Sequence, residues 1–204
     1  MPVRTRVFID FWNFQLQWND RAGEPGGVPV RCDWRQLPVV LAEEAMAKAP
    51  ALGQLRVDET RIYASVELPR ESKLQGWLDS TVNRFPGFRV FTRHREVRAN
   101  PVHCRACGTK IEHCPSCKAI LKRAAEKGVD AAIVTDMFWL VWEQALDVAI
   151  LVSSDSDLVP AVERIQDRGI KIVNATWDRY GHELAKACWA SFEVNPLVGK
   201  LTRT

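Results

Sequence analysis

A parallel α/β sheet with helices on both faces is the fold this sequence predicts. Three observations carry the prediction. Short runs of strand length recur along the chain, among them RVFIDF, TRIYASV and VAILV. Segments with helical spacing separate them. Several runs are apolar without alternation, as in strands covered on both faces. With 204 residues and 47% apolar content, the chain is long enough for one medium domain with its own core and a small insert, and disorder is excluded.

Arg6 to Phe11 reads as the first buried strand, followed by a polar loop from Asn19 to Pro29 that contains Gly and Pro. Asp33 to Ala49 reads as a helix, capped by Asp33, with Leu37, Val40, Leu41 and Ala45 on one face. A loop from Pro50 to Asp58 precedes a strand from Thr60 to Val66. Glu71 to Phe85 is helical, with Leu74, Trp77, Leu78 and Val82 recurring on one face, and Phe88 to Val97 is the third strand. Lys127 to Leu146 is ambiguous, since Ala131 to Val134 also fits a strand, but its length favours a buried helix with Trp139 and Trp142 in the core. Val148 to Val152 is a buried strand, Leu158 to Arg168 a helix closed by Gly169, Ile170 to Ala175 a strand, and His182 to Trp189 a last helix. No internal repeat is present.

No apolar run reaches the roughly 18 residues of a membrane helix, and the first residues lack a signal-peptide core. The expected location is therefore the cytoplasm. Six cysteines divide unevenly. Cys32 and Cys188 stand alone and suit buried apolar positions. Cys104, Cys107, Cys114 and Cys117 form CxxC, six residues, CxxC, the spacing of a tetrahedral, structural Zn²⁺ site without an open position, with His103 and His113 as reserve ligands. The expected organisation is one domain, 1–204, with a zinc-ribbon insert at 99–121. Between Arg84 and Lys127, eleven basic residues against three acidic ones give +8, leaving −5 for the rest of a chain of net charge +3. Arg93, Arg95, Arg98, Arg105, Lys110, Lys118, Lys122 and Arg123 are candidate phosphate contacts, with a solvated charged surface as the alternative. Trp12 or Trp18 are candidates for stacking on bases.

The chemistry centres on LVSSDSDLVP, Leu151 to Pro160, where two aspartates follow a buried strand at the edge on which open α/β sheets bind ligands. Capping of the next helix by Asp157 accounts for only one of them. Asp10 has a similar position after the first strand, between Ile9 and Phe11-Trp12, where a carboxylate is costly unless paired or metal-bound. Asp130 stands where a helix starts, and Asp136 lies six residues on. If Asp10, Asp130, Asp155 and Asp157 converge, they form a set of hard oxygen ligands for Mg²⁺ or Mn²⁺, suited to phosphodiester hydrolysis. Ser153, Ser154 and Ser156 have no recognisable activating histidine, which argues against a serine hydrolase.

FIDFWNF (Phe8 to Phe14), KGVDAAIVTDM (Lys127 to Met137) and ILVSSDSDLVPAVERIQDRGIKI (Ile150 to Ile172) resemble, in order, the three signature segments of the LabA-like NYN domain family, within the PIN-like nuclease superfamily. The resemblance implies a three-layer PIN-like fold with a central, mostly parallel sheet and a metal-dependent ribonuclease site. Carried over, its residues are Asp10, Asn13, Asp130, Asp155 and Asp157, with Asp136 matching a further recurrent aspartate. One departure is Phe11-Trp12, where small residues are more usual before the asparagine. The implied activity is RNA cleavage, endonucleolytic, by one or two Mg²⁺ or Mn²⁺ ions that activate water, with Asn13 positioning a ligand or water. The implied partner is single-stranded or structured RNA, with no membrane and a homodimer left open. The alternatives are a noncatalytic RNA-binding module, which gains nothing from bare carboxylates, and a phosphatase or Toprim-like enzyme. Asp10-Phe11-Trp12 lacks the second aspartate of haloacid-dehalogenase-like phosphatases.

Overall fold

The computed structural model describes residues 2–22, 30–125 and 128–203. Its centre is a six-stranded sheet built from β1 (Val3–Asp10), β2 (Leu55–Val66), β3 (Phe88–His94), β8 (Val148–Val152), β9 (Lys171–Thr176) and β10 (Ala190–Glu193), in the order β10-β9-β8-β1-β2-β3. Every pairing is parallel. The helices are α1 (Phe11–Ala22), α2 (Leu37–Lys48), α3 (Ser72–Ser80), α4 (Val129–Trp142), α5 (Val159–Gln166), α6 (His182–Ala187) and α7 (Val198–Leu201). The expected α/β class with a parallel sheet between helices therefore holds.

Period-two alternation explains the two cores. Val7 and Ile9 of β1, Ile150 and Val152 of β8, and Val173 and Ala175 of β9 face one helical layer, together with Phe11, Phe14 and Trp18 of α1. Phe8, Leu151 and Ile172 face the other, with Val129, Ile133 and Met137 of α4 and Val162 and Ile165 of α5. Both faces of the central strands are covered, so VAILV is buried throughout. At the opposite edge from the carboxyl ends, Arg4 binds Asp147 through Nε and Nη2 at 2.9 and 2.7 Å, tying β1 to the residue before β8.

The structure differs from the sequence expectation in several places. The segment after β1 is the helix α1 as far as Ala22, so Asn19 to Ala22 are helical rather than loop; 23–29 of the expected loop lie outside the described residues. Phe11, Phe14 and Trp18 recur at helical spacing, and Phe14 stacks among Trp18, Trp34 and Trp177 with centroids 5.3–5.9 Å apart. Asp33 does not cap α2 itself: its carboxylate accepts from Arg35 and Gln36 N–H, closing a turn before the helix. The expected third strand divides at Arg95 into β3 and β4 (Glu96–Ala99). Trp139 and Trp142 are not core. They are 58% and 79% exposed, because α4 is apolar on most sides and periodicity cannot say which side faces inward. Cys32 and Cys188 are buried, and burial pushes the Cys188 thiol up to about 12. Among the described residues no helix is long and apolar enough to cross a membrane.

Between β3 and α4 the chain makes an arm. β4 pairs antiparallel with β7 (Lys122–Ala125) as its stalk, and β5 (Val102–His103) pairs with β6 (Lys110–Ile111) further out. It leaves from the carboxyl end of β3 and returns shortly before the start of α4.

Phe14→Ala removes the ring at the centre of the α1 aromatic cluster and is expected to cost about 3–5 kcal/mol, read from denaturant unfolding. A loss below about 1 kcal/mol would show that the cluster collapses around the gap.

Candidate active site at the carboxyl edge of the sheet

Successive strands run outward from β1 through β2 and β3 on one side, and from β8 through β9 and β10 on the other. The reversal point lies between β1 and β8, where connections diverge to opposite faces and leave a crevice. Ile9 is in register with Val152, so Asp10 and Ser153 are the next residues at that crevice. By alternation, Asp10 shares the face of Phe8, the side of α4 and α5.

Asp10 is 8% exposed. It is also the residue before α1, and its Oδ1 accepts the Asn13 N–H at 3.2 Å, the geometry of an N-cap. Ser153 Oγ donates to the other oxygen at 3.5 Å and accepts the Asp155 N–H at 3.2 Å. Asn13 Oδ1 accepts the Ser154 N–H at 3.0 Å. The first motif therefore holds the turn that carries the last one. Asp155 Oδ1 accepts the Asp157 N–H at 2.9 Å and caps the single turn Ser156–Leu158 that leads into α5. The cap is thus Asp155, not Asp157, and the Asp157 side chain is exposed.

Residues that sequence reasoning passed over hold this turn from behind. Buried Asn174 donates from Nδ2 to the carbonyls of Leu151 and Ser153, at 3.0 and 2.9 Å. Thr176 Oγ1 lies 3.1 Å from Ser154 Oγ and donates to the Tyr180 carbonyl. Gly181 has φ +67°, and a Cβ there would sit 2.6 Å from Thr176 Oγ1 and 2.8 Å from Ser154 Cα. The available signal was KIVNAT, a buried strand with two polar residues toward its end.

Asp130 lies in the first turn of α4, half-buried. Because α4 leads to the amino end of β8, its own first turn lies toward the carboxyl edge. Asp136 is elsewhere: six residues further, about 9 Å along the helix and rotated away. Its Oδ2 accepts from Arg61 Nη1 at 2.8 Å and from Tyr63 OH at 2.7 Å. Glu59 completes the network with Arg61, Arg6 and Arg89. Burial alone lowers the Arg61 pKa, and its carboxylate partners more than reverse this. Burial and the bond to Asp136 raise the Tyr63 phenol, so it remains a donor. Among the described residues, no group of three or more His, Cys, Asp or Glu is close enough to hold a metal ion.

The candidate phosphate contacts divide. Arg93 is exposed and lines a groove of ≈ 750 Å³ with Val90, Gly128, Ala131, Thr135 and Asp136. Arg95 is half-buried, paired with Glu71, and 4.7 Å over the ring of Trp12, whose Nε1 donates to the Ser65 carbonyl. Trp12 is therefore already stacked, and Trp18 is fully buried, so neither presents an open platform to a base. Arg98 and Lys110 are exposed and paired with Glu96 and Glu112. Arg105, Lys118 and Lys122 are exposed, and the Arg123 side chain lies outside the described residues.

A sequence model described as the NYN domain matches residues 4–193. No curated protein matches the chain. Among solved structures, a protein of unknown function, VPA0982, from Vibrio parahaemolyticus RIMD 2210633 is similar in fold, with a TM-score of 0.56 at 19% identity over 95% of this chain and 93% of that one.

Two substitutions test the geometry. Gly181→Ala puts an L-residue at left-handed φ, which costs about 1–2 kcal/mol before its overlap with Ser154. Urea unfolding is expected to show at least that loss, and a change under about 0.5 kcal/mol would refute the close packing. Asp136→Ala leaves Tyr63 OH and Arg61 Nη1 without this acceptor, while Arg61 keeps Glu59, and is expected to lose about 1–3 kcal/mol of stability. Unchanged stability would mean the network does not hold α4.

Proposed function

The chain belongs to the NYN domain family, and on that premise we propose that it is a metal-dependent ribonuclease, an endonuclease that hydrolyses RNA phosphodiester bonds at Asp10, Asp130, Asp155 and Asp157. The family match by itself supports a nuclease-like, RNA-related role. The finer reading rests on one observation: a buried carboxylate at the reversal point of the sheet, hydrogen-bonded through Ser153 and Asn13 to the turn that carries two more.

The donors suit Mg²⁺ or Mn²⁺ in kind, since all four are hard carboxylates near one sheet edge. Such an ion supplies a Lewis acid for the phosphoryl oxygens and lowers the pKa of a bound water. The chain's own part is positional. The N-cap bond and Ser153 fix the Asp10 carboxyl, Asn13 fixes the Ser154 amide, and Asp155 is fixed by its own cap. Arg93, Arg98, Arg105, Lys110, Lys122 and Arg123 would bind phosphates along the RNA, while Arg95, committed to Glu71 and Trp12, would act from a fixed position. This reading keeps Zn²⁺ out of the chemistry, because a four-thiolate site has no open position. It sets the protein in the cytoplasm as one domain, with a homodimer compatible with it.

A second reading, a noncatalytic RNA-binding module, is favoured by one finding: the described carboxylates are not gathered into a metal-holding group. One experiment separates the two. End-labelled single-stranded RNA is incubated with metal-stripped protein in Mn²⁺, Mg²⁺ or EDTA, with Asp155→Asn alongside. Asparagine keeps the Oδ1 that caps the turn, so the variant is expected to fold and bind RNA while cleavage falls at least about 100-fold. Cleavage unchanged in Asp155→Asn would falsify the site, and binding without cleavage by the parent protein supports the module.

A further inference from the structure

We propose that Cys104, Cys107, Cys114 and Cys117 bind one Zn²⁺ and that this ion, not a hydrophobic core, holds the arm between β3 and α4 folded.

From Glu96 to Lys122 no residue is buried, and none belongs to either core cluster. Val97, Val102, Ile111 and Ile120 all point into solvent. A unit this small, without apolar burial, is expected to need a cross-link or a metal. Its ladders do not remove that need: β5 and β6 have two residues each, and two-stranded hairpins are marginal in water.

What the arm has instead is one turn built twice. Cys104 N–H donates to the Thr109 carbonyl at 2.9 Å and Gly108 N–H to the Cys104 carbonyl at 2.8 Å. Ten residues on, Cys114 N–H donates to the Ala119 carbonyl at 2.8 Å and Lys118 N–H to the Cys114 carbonyl at 2.9 Å. The fifth residue of each turn is left-handed, Gly108 at φ +72° and Lys118 at φ +61°. Glycine takes that conformation freely. Lysine does not, so the second turn adopts the same geometry against its own preference. The sequences CRACGT and CPSCKA share the cysteines and almost nothing else, so the spacing of the thiols is the common constraint.

The first cysteine of each pair, Cys104 and Cys114, is half-buried while most of the arm is exposed. The turns share the short central segment from Lys110 to His113, which pairs with Val102 and His103 on one side and Ile120 on the other. Among the described residues no three of the thiols stand together as one metal-holding group. Zinc binding therefore brings the two turns together, and four thiolates complete its tetrahedron while their protons pass to solvent.

The test needs no RNA, so its outcome is independent of the ribonuclease reading. Full-length protein, purified under reducing conditions, is expected to contain one zinc per chain by elemental analysis. The metal-stripped protein is expected to take up one Co²⁺ with thiolate-to-cobalt charge-transfer absorption, and the Cys107→Ser, Cys117→Ser double variant to lose it. Hydrogen exchange is expected to lose protection at Asn100, Gly108, Lys118 and Leu121 on metal removal, while Ile9 and Leu151 keep theirs. The proposal is overturned by protein that neither contains nor takes up metal, by disulfides at 104–107 and 114–117 in reduced preparations, or by arm amides equally protected with and without metal.

Discussion

The parallel pairing of β1 with β8 is the constraint on which the rest of this structure depends. It joins two strands that are 145 residues apart at their starts, from Val3 to Val148, and it lies where the order of the sheet reverses. Each strand is buried on both faces, so the register is fixed by two sets of apolar contacts at once: a slip by one residue would exchange them. Because Ile9 meets Val152, a carboxylate and a hydroxyl-bearing turn come out side by side at the carboxyl edge. The arrangement of polar groups there is a consequence of packing below it.

The polar groups at that edge are mostly held by backbone donors or acceptors. Asp10 caps α1, Asp155 caps the turn before α5, and Asn13 and Asn174 each bind main chain of the Ser153–Ser154 segment. Side chains restrained in this way lose little further freedom when a ligand arrives, which is how a site is preorganised. Arg61, Asp136, Tyr63 and Glu59 serve a different end. They satisfy each other between β2 and α4, and so orient the helix that carries Asp130, with Tyr63 in register beside Asp10.

The arm is the exception to this economy of packing. The sheet is held by burial, whereas the arm has exposed side chains, short ladders and a concentration of positive charge. Its position, between the last strand on one side of the sheet and the helix bearing Asp130, ties it to the same edge as the acidic turn. On the proposed ribonuclease reading, this basic element would grip the RNA phosphates away from the carboxylates that would repel them.

The sequence by itself determined the α/β class and most strands, because a buried strand writes itself as a continuous apolar run; for 129–142 its periodicity left strand and helix open, and only the length of the segment favoured the helix that forms. It also singled out Asp10, Asp155 and Asp157, carboxylates that follow apolar strands, as residues worth locating, while Asn13 came only from the family resemblance. It could not tell that Asp155 rather than Asp157 caps, that Asp136 pairs with Arg61, or that Trp139 and Trp142 stand in solvent. Each of these depends on which neighbour a side chain meets across the fold. Asn174, Thr176 and Gly181 were invisible for the same reason: the segment they hold, Leu151 to Ser154, lies 21 to 23 residues away from the first two and 27 from Gly181. Local chemistry fixes what a segment is, while only the register of β1 against β8 decides which segments meet.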